Sequence, residues 1–240
     1  MRTFALACLL VALLMPSCAV ERMQVLPELA PSTDTAEARA ACAACFPKGR
    51  WQFVHALGFD MAGGFSGNAL GVVALNGDDI KVVLMTVEGL NLFEASSANR
   101  DHLEVSRAVP PFDKPGFAQG LLRDVRRIFQ RPAGTLATGM LPGGVPACRY
   151  EGEGETSDLV VQTDGCWRLE TYQPQVAALS EDETVPPPAR PVLTRRITTA
   201  SCQAAGKTII PQILELTAQG PEGYSLTMRL ISAERLANIP

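Results

Sequence analysis

The sequence predicts a mainly β protein, an antiparallel sheet covered by a helix, and three observations carry that prediction. Apolar runs at 69–75 and 80–87 flank Asn76-Gly77-Asp78-Asp79. Asn-Gly is the strongest short hairpin signal, because both residues tolerate the positive φ of a type I′ turn. Two further β-type runs, 90–95 and 102–107, follow Glu88-Gly89 and the polar cluster 96–100, so the region reads as a meander. One strong helix comes next, at 116–131. Phe117, Leu121, Leu122, Val125, Ile128 and Phe129 recur there at helical spacing, with Arg123, Arg126, Arg127 and Arg131 off the stripe.

Composition narrows the class. The chain has 240 residues, enough to bury a full core in one or two domains. Apolar residues make up 47% and charged residues 19%, which excludes wholesale disorder. A net charge of −4 offers no basic footprint for nucleic acid. The two histidines, His55 and His102, speak against a histidine-based metal site, so neither metal nor cofactor is expected.

The N-terminus reads as a targeting segment. Arg2 precedes an apolar run at 4–15, shorter than the ~20 residues that span a bilayer, so 1–17 reads as a signal peptide. Leu14-Met15-Pro16-Ser17-Cys18 resembles a bacterial lipobox, with a small residue just before the cysteine that is lipidated. The rival reading is ordinary cleavage after Ala19. Each buried CH₂ of an acyl chain such as palmitate contributes ~0.8 kcal/mol, so more than one chain on Cys18 makes a stable membrane anchor. In the bacterial sorting rule an aspartate after the cysteine retains a lipoprotein at the inner membrane. Ala19 stands there instead, which implies outer-membrane attachment on the periplasmic face.

That compartment is oxidising and favours disulfides. Cys8 leaves with the signal peptide and Cys18 carries lipid. Cys42, Cys45, Cys148, Cys166 and Cys202 remain, and an odd number leaves one unpaired. Cys148 and Cys166 flank a hairpin that they could bridge, and Cys42 or Cys45 could reach Cys202. Cys42-Ala43-Ala44-Cys45 has redox spacing, but no βαβ unit accompanies it, which favours a structural disulfide.

In chain order, 18–46 reads as the lipidated N-terminus and a tether, with a short helix at 35–45. A single folded domain spans 47–240. Its first strand, 49–61, puts Trp51, Phe53, His55 and Leu57 on one face. In the strand at 80–87, Ile80, Val82 and Leu84 share one face and Val83, Met85 and Val87 the other. An antiparallel strand apolar on both faces needs cover on both. Asp113 can cap the helix. A Gly/Pro-rich connector follows at 132–146, then β runs at 147–151, 159–163 and 166–172. The proline-rich stretch 173–191 reads as a long mobile loop. The last strands are 192–201, 212–218 and 224–232, the final pair turning at 220–223.

Catalytic constellations are lacking. Gly64-Phe65-Ser66-Gly67-Asn68 misses the last glycine of a nucleophile elbow and lies in the meander. Glu151, Glu153, Glu155 and Asp158 lack a Ca²⁺-loop pattern and read as a solvated hairpin tip. The helix arginines read as a solvated face. His55 and His102 pair with no evident carboxylate and read as core or surface residues. A non-enzymatic protein is expected.

The passage 83–93 (VLMTVEGLNLF), the helix at 117–129 and the closing pair 213–216 and 224–230 carry a resemblance. They resemble the Lol-type lipoprotein-sorting superfamily, a periplasmic carrier and an outer-membrane receptor, and more closely a related family of bacterial outer-membrane lipoproteins. The resemblance covers about 51–235. It implies an incomplete antiparallel β-barrel lidded by one or more helices, whose concave apolar face binds or transfers an acyl chain, a lipid or a lipoprotein. Candidate cavity residues are Phe53, Val82, Leu84, Leu92, Leu121 and Val125. The alternative is a structural or interaction lipoprotein whose barrel is filled by its own side chains.

Overall fold

Strands with period-two burial account for most of the chain. The computed structural model describes residues 24–32, 36–99, 102–175, 190–220 and 223–237. In order they form β1 (Ala30–Pro31), α1 (Ala36–Ala44), β2 (Arg50–Met61), β3 (Ser66–Asn76), β4 (Asp79–Met85), β5 (Asn91–Ala98), β6 (His102–Ala108), α2 (Phe117–Phe129), β7 (Thr135–Leu141), β8 (Val145–Gly152), β9 (Glu155–Val161), β10 (Trp167–Gln175), β11 (Arg190–Ala205), β12 (Thr208–Ala218) and β13 (Tyr224–Arg235). The 13 strands make one sheet in the order β1-β7-β8-β9-β10-β11-β12-β13-β2-β3-β4-β5-β6, with antiparallel pairing throughout. Among the described residues β1 and β6 do not pair with each other, so the barrel stays incomplete.

Register explains which residues meet. Phe53 lies opposite Val73, Val73 opposite Val82, and Val82 opposite Ala95, so one row of inward side chains crosses four strands. All four are buried. The next row runs His55, Gly71, Leu84, Phe93. A Cβ at Gly71 would lie 2.8 Å from Leu57 Cδ1, so a larger residue there would have to displace the Leu57 side chain. Residues from both halves of the sheet join α1 and α2 in a single core cluster, so the sheet curls around the helices.

Among the described residues the outer face is covered on one half. Leu29, before β1, packs on a small cluster of Leu141, Ala147 and Val160. Residues expected as a free tether are docked here. Leu26 donates to Pro191 O, Leu193 donates to Gln24 O, and Arg149 reaches Pro27 O at 2.8 Å. On the other half Val54, Val72 and Val83 form a half-buried outer row. The two-faced apolar character of β4 therefore reflects a packed inner face and a partly exposed outer one.

Several expectations shift. The β3–β4 loop is Gly77-Asp78, with Asn76 paired to Asp79 and only Gly77 at positive φ (62°). That pattern suits a turn with glycine at its first central position. The stretch expected as a connector at 132–146 holds all of β7, because Thr135–Leu141 finds partners in β8 and β1. Of the stretch 173–191, Gln173–Gln175 and Arg190–Pro191 pair as strand; residues 176–189 lie outside the described residues. So do the signal segment 1–17 and Cys18. Asp113 does not cap α2, which starts after Gly116 in the left-handed region (φ 81°) with no side-chain cap bond.

The cysteines pair differently from either expectation. Cys42 bonds Cys148, and Cys166 bonds Cys202. The first bond ties α1 to β8 inside the curl and the second joins β11 to the turn before β10. Cys45 is left as a buried thiol, so the Cys42-Ala43-Ala44-Cys45 pair is not itself bridged.

Candidate functional site

The concave face is apolar and lies beneath α2. Leu122, Val125, Ile128 and Phe129 on the helix are buried against it, and Phe129 stacks on Phe53 with ring centroids 4.9 Å apart. Fully burying each such side chain contributes roughly 1.5–3 kcal/mol. His55 sits in the same layer, 6.2 Å from Phe53 and 5.9 Å from Phe129 between centroids. Burial pushes its pKa down to about 4. A neutral imidazole is the state such a layer tolerates.

A polar network fixes the other side of α2. Arg127 is buried and pairs with Asp124 and Glu155, at 2.6 Å each. Asp124 also accepts from Tyr224 Oη and faces Arg195 at 3.4 Å. Burial works against the Arg127 charge, but the Glu155 and Asp124 carboxylates outweigh it and hold its pKa above the ordinary value. Burial, then the Asp124 charge, pushes the Tyr224 hydroxyl upward, so it stays protonated and donating. Farther along, Arg126 reaches Ser97 Oγ at 2.5 Å and Asp78 O at 3.2 Å, and Gln130 donates to Gly77 O at 3.0 Å. The helix is thus tied to β3–β5 on one side and to β9, β11 and β13 on the other.

Antiparallel pairing brings the β2–β3, β4–β5 and β12–β13 turns to one end of the sheet, the tip end. Large apolar side chains are exposed there: Met61 at 37%, Phe65 at 42%, Val87 at 68% and Leu90 at 60%. From Phe65 a chain of rings leads inward. Phe65 meets Phe59 at 5.6 Å, Phe59 meets Phe112 at 6.4 Å, Phe112 meets Phe117 at 5.4 Å, and Phe117 meets the fully buried Phe93 at 5.3 Å.

Five of the six expected cavity residues share this layer. Phe53, Val82, Leu84 and Val125 are buried in the one core cluster and Leu121 packs on it half-buried. Leu92 does not join them. Leu84 pairs with Phe93 and Val82 with Ala95 in the regular register, so Leu92 alternates to the other face, and the shift between Leu84 and Met85 then skips it. The side chains of this layer are buried against one another. The void reaching Phe53, between Cys45, Ile128, Phe129, Trp167 and Ile210, holds only about 20 Å³. A larger cavity of about 380 Å³ opens at the opposite, base end, where the ends of α1 and α2 meet the Gly77-Asp78 turn.

Residues whose roles the sequence concealed are the charged ones. Arg127, Glu155 and Asp158 read as solvated, yet Arg127 and Asp158 are buried and all three are in ion pairs; Arg149 reaches Asp158 Oδ1 at 2.7 Å. Asp124 lies one helical turn from Arg127 and Arg149 across a hairpin from Asp158, but the burial of these pairs and the contact of Arg127 with Glu155 come from tertiary packing that local spacing does not record.

No family model matches the sequence, and no curated protein matches it closely. Solved structures do. A LolA-superfamily protein from Nitrosomonas europaea is similar to it, at 10% identity, with 87% of this chain and 96% of that one covered at a TM-score of 0.47. A lipoprotein-sorting protein domain described as a putative outer-membrane one, from Vibrio parahaemolyticus, is 9% identical, covering 82% and 89% at a TM-score of 0.41. A DUF1329-family protein from Desulfovibrio piger is 8% identical, covering 87% and 96% at 0.45.

Proposed function

We propose that this chain is a non-enzymatic envelope lipoprotein, anchored in the outer membrane through Cys18 and facing the periplasm, that binds or hands over an acyl chain, a lipid or a lipoprotein on the concave face of its sheet. One observation carries the reading: the unbroken run of rings from exposed Phe65 to buried Phe93. Exposed apolar tips beside such a path suit an apolar ligand arriving from a membrane surface. Phe53, Val82, Leu84, Leu121 and Val125 would line the space opened when α2 lifts from the sheet.

The full chain carrying Cys18→Ala, mixed with a fluorescent fatty-acyl probe in vesicles, tests this. Uptake is expected, slowed at least fivefold by Phe65→Ser with Leu90→Ser. No uptake by the folded chain favours the second reading, an interaction lipoprotein with a filled barrel. The void of only about 20 Å³ beside Phe53 is the observation on that side.

A further inference from the structure

The base-end cavity is distinct from the face under α2 and from the exposed tips. Its apolar wall is Phe46, Leu75 and Phe129, all buried core residues, and Pro47 and Pro132 stiffen two of its edges. Lys48 and Arg131 are exposed at its mouth. Asp78 is the carboxylate among the lining residues; Arg126, outside the lining, donates to the Asp78 backbone carbonyl at 3.2 Å. The C-terminal ends of two helices add partial negative charge of about half a unit each. The two cationic side chains of the lining, Lys48 and Arg131, stand against the single carboxylate of Asp78.

Two further features point inward. The small void at Phe53 shares Pro47 and Phe129 with the cavity, so the cavity backs onto the concave core. Trp167 lines that void with its indole N–H buried and without an acceptor among the described residues. A volume of about 380 Å³ lies at the small end of the range for ligand sites. It suits one slender chain, and an apolar wall with a cationic mouth selects a molecule with a greasy body and an anionic head.

We propose that this cavity binds a single-chain anionic amphiphile, its head held between Lys48 and Arg131 and its body against Phe46, Leu75 and Phe129. The site is preformed and does not need α2 to move, so it goes beyond the reading of the concave face.

The test uses the full chain carrying Cys18→Ala and two probes below their aggregation limits, cis-parinarate and its uncharged methyl ester. Saturable parinarate binding is expected, weakened tenfold or more by Lys48→Ala with Arg131→Ala, with the methyl ester unaffected. Ala43→Trp, which fills the cavity, should abolish binding of both. Competition by dodecanoate or by dodecyl phosphate identifies a carboxylate or a phosphate monoester as the preferred head. No saturable parinarate binding, or equal affinity in the charge variant, overturns the proposal. Binding indifferent to Lys48 and Arg131 but lost in Phe65→Ser with Leu90→Ser removes this site and leaves the concave-face reading standing.

Discussion

The ring of Phe129, at the end of α2, stacks on that of Phe53 in β2, with centroids 4.9 Å apart and planes inclined at 28°. This contact closes the concave face over its own strands. Phe129→Ala is expected to cost about 3–5 kcal/mol, since a large aromatic leaves a cavity that the sheet cannot refill. Chemical denaturation with an unchanged m-value checks it. The same cavity would lie next to the void at Phe53. If the concave face takes acyl chains, the variant should bind an acyl probe more tightly than the parent despite its lower stability.

The pairing of Arg127 with Asp124 and Glu155 makes a second prediction. Asp124→Asn leaves a buried guanidinium short of a charge partner and should destabilise by about 3–5 kcal/mol. Asp124→Leu combined with Arg127→Met and Glu155→Gln removes the charges together and should recover much of that loss. A triple variant no more stable than Asp124→Asn would mean that the network contributes more than its own desolvation cost.

His55 gives a pH prediction with a definite sign. Its pKa in the folded protein is about 4, below the ordinary 6.5. Between those values the unfolded chain holds more protons, so stability rises with pH. The contribution is complete above pH 6.5 and falls away as pH drops towards 4, by about 3 kcal/mol in all. His55→Leu should flatten that part of the stability profile. A profile identical in parent and variant would show that His55 is not buried neutral.

The cysteines supply the fourth. Burial pushes the Cys45 thiol up to about 12. In the native protein it should resist iodoacetamide at pH 8 and react only on unfolding, as one thiol per chain beyond any at Cys8 and Cys18. Cys42–Cys148 spans 106 residues of sequence and Cys166–Cys202 spans 36. Loop-closure entropy assigns them roughly 4–5 kcal/mol and 4 kcal/mol. Reduction should therefore lower the midpoint of unfolding substantially, and Cys148→Ser should account for the larger share.

Local periodicity was enough to find most strands and the α2 helix. Burial on one face of a strand alternates with every residue, and on a helix it recurs within one turn. The face shared by Trp51, Phe53, His55 and Leu57 was legible for that reason, and so was the inward set Ile80, Val82 and Leu84. Leu92 lies outside the set because the pairing of Val82 with Ala95 and Leu84 with Phe93 turns the odd-numbered residues of β5 inward, and cross-strand register leaves no mark in the periodicity of one strand. Strand β7 was hidden by glycine and proline at its borders; its assignment depends on having β8 and β1 as neighbours.

From its sequence alone the protein is an antiparallel β structure with one strongly amphipathic helix, a lipobox-like start at Cys18 and an odd number of cysteines after it. Those properties depend on residues close together in the chain. Only the tertiary structure decided the partners of Cys42 and Cys166, the burial of Arg127 and Asp158, the docking of residues 24–31 on the outer face, and the packing of α2 on the concave layer. Their energies come from packing and desolvation between elements that are mostly far apart in the chain, which no local pattern encodes.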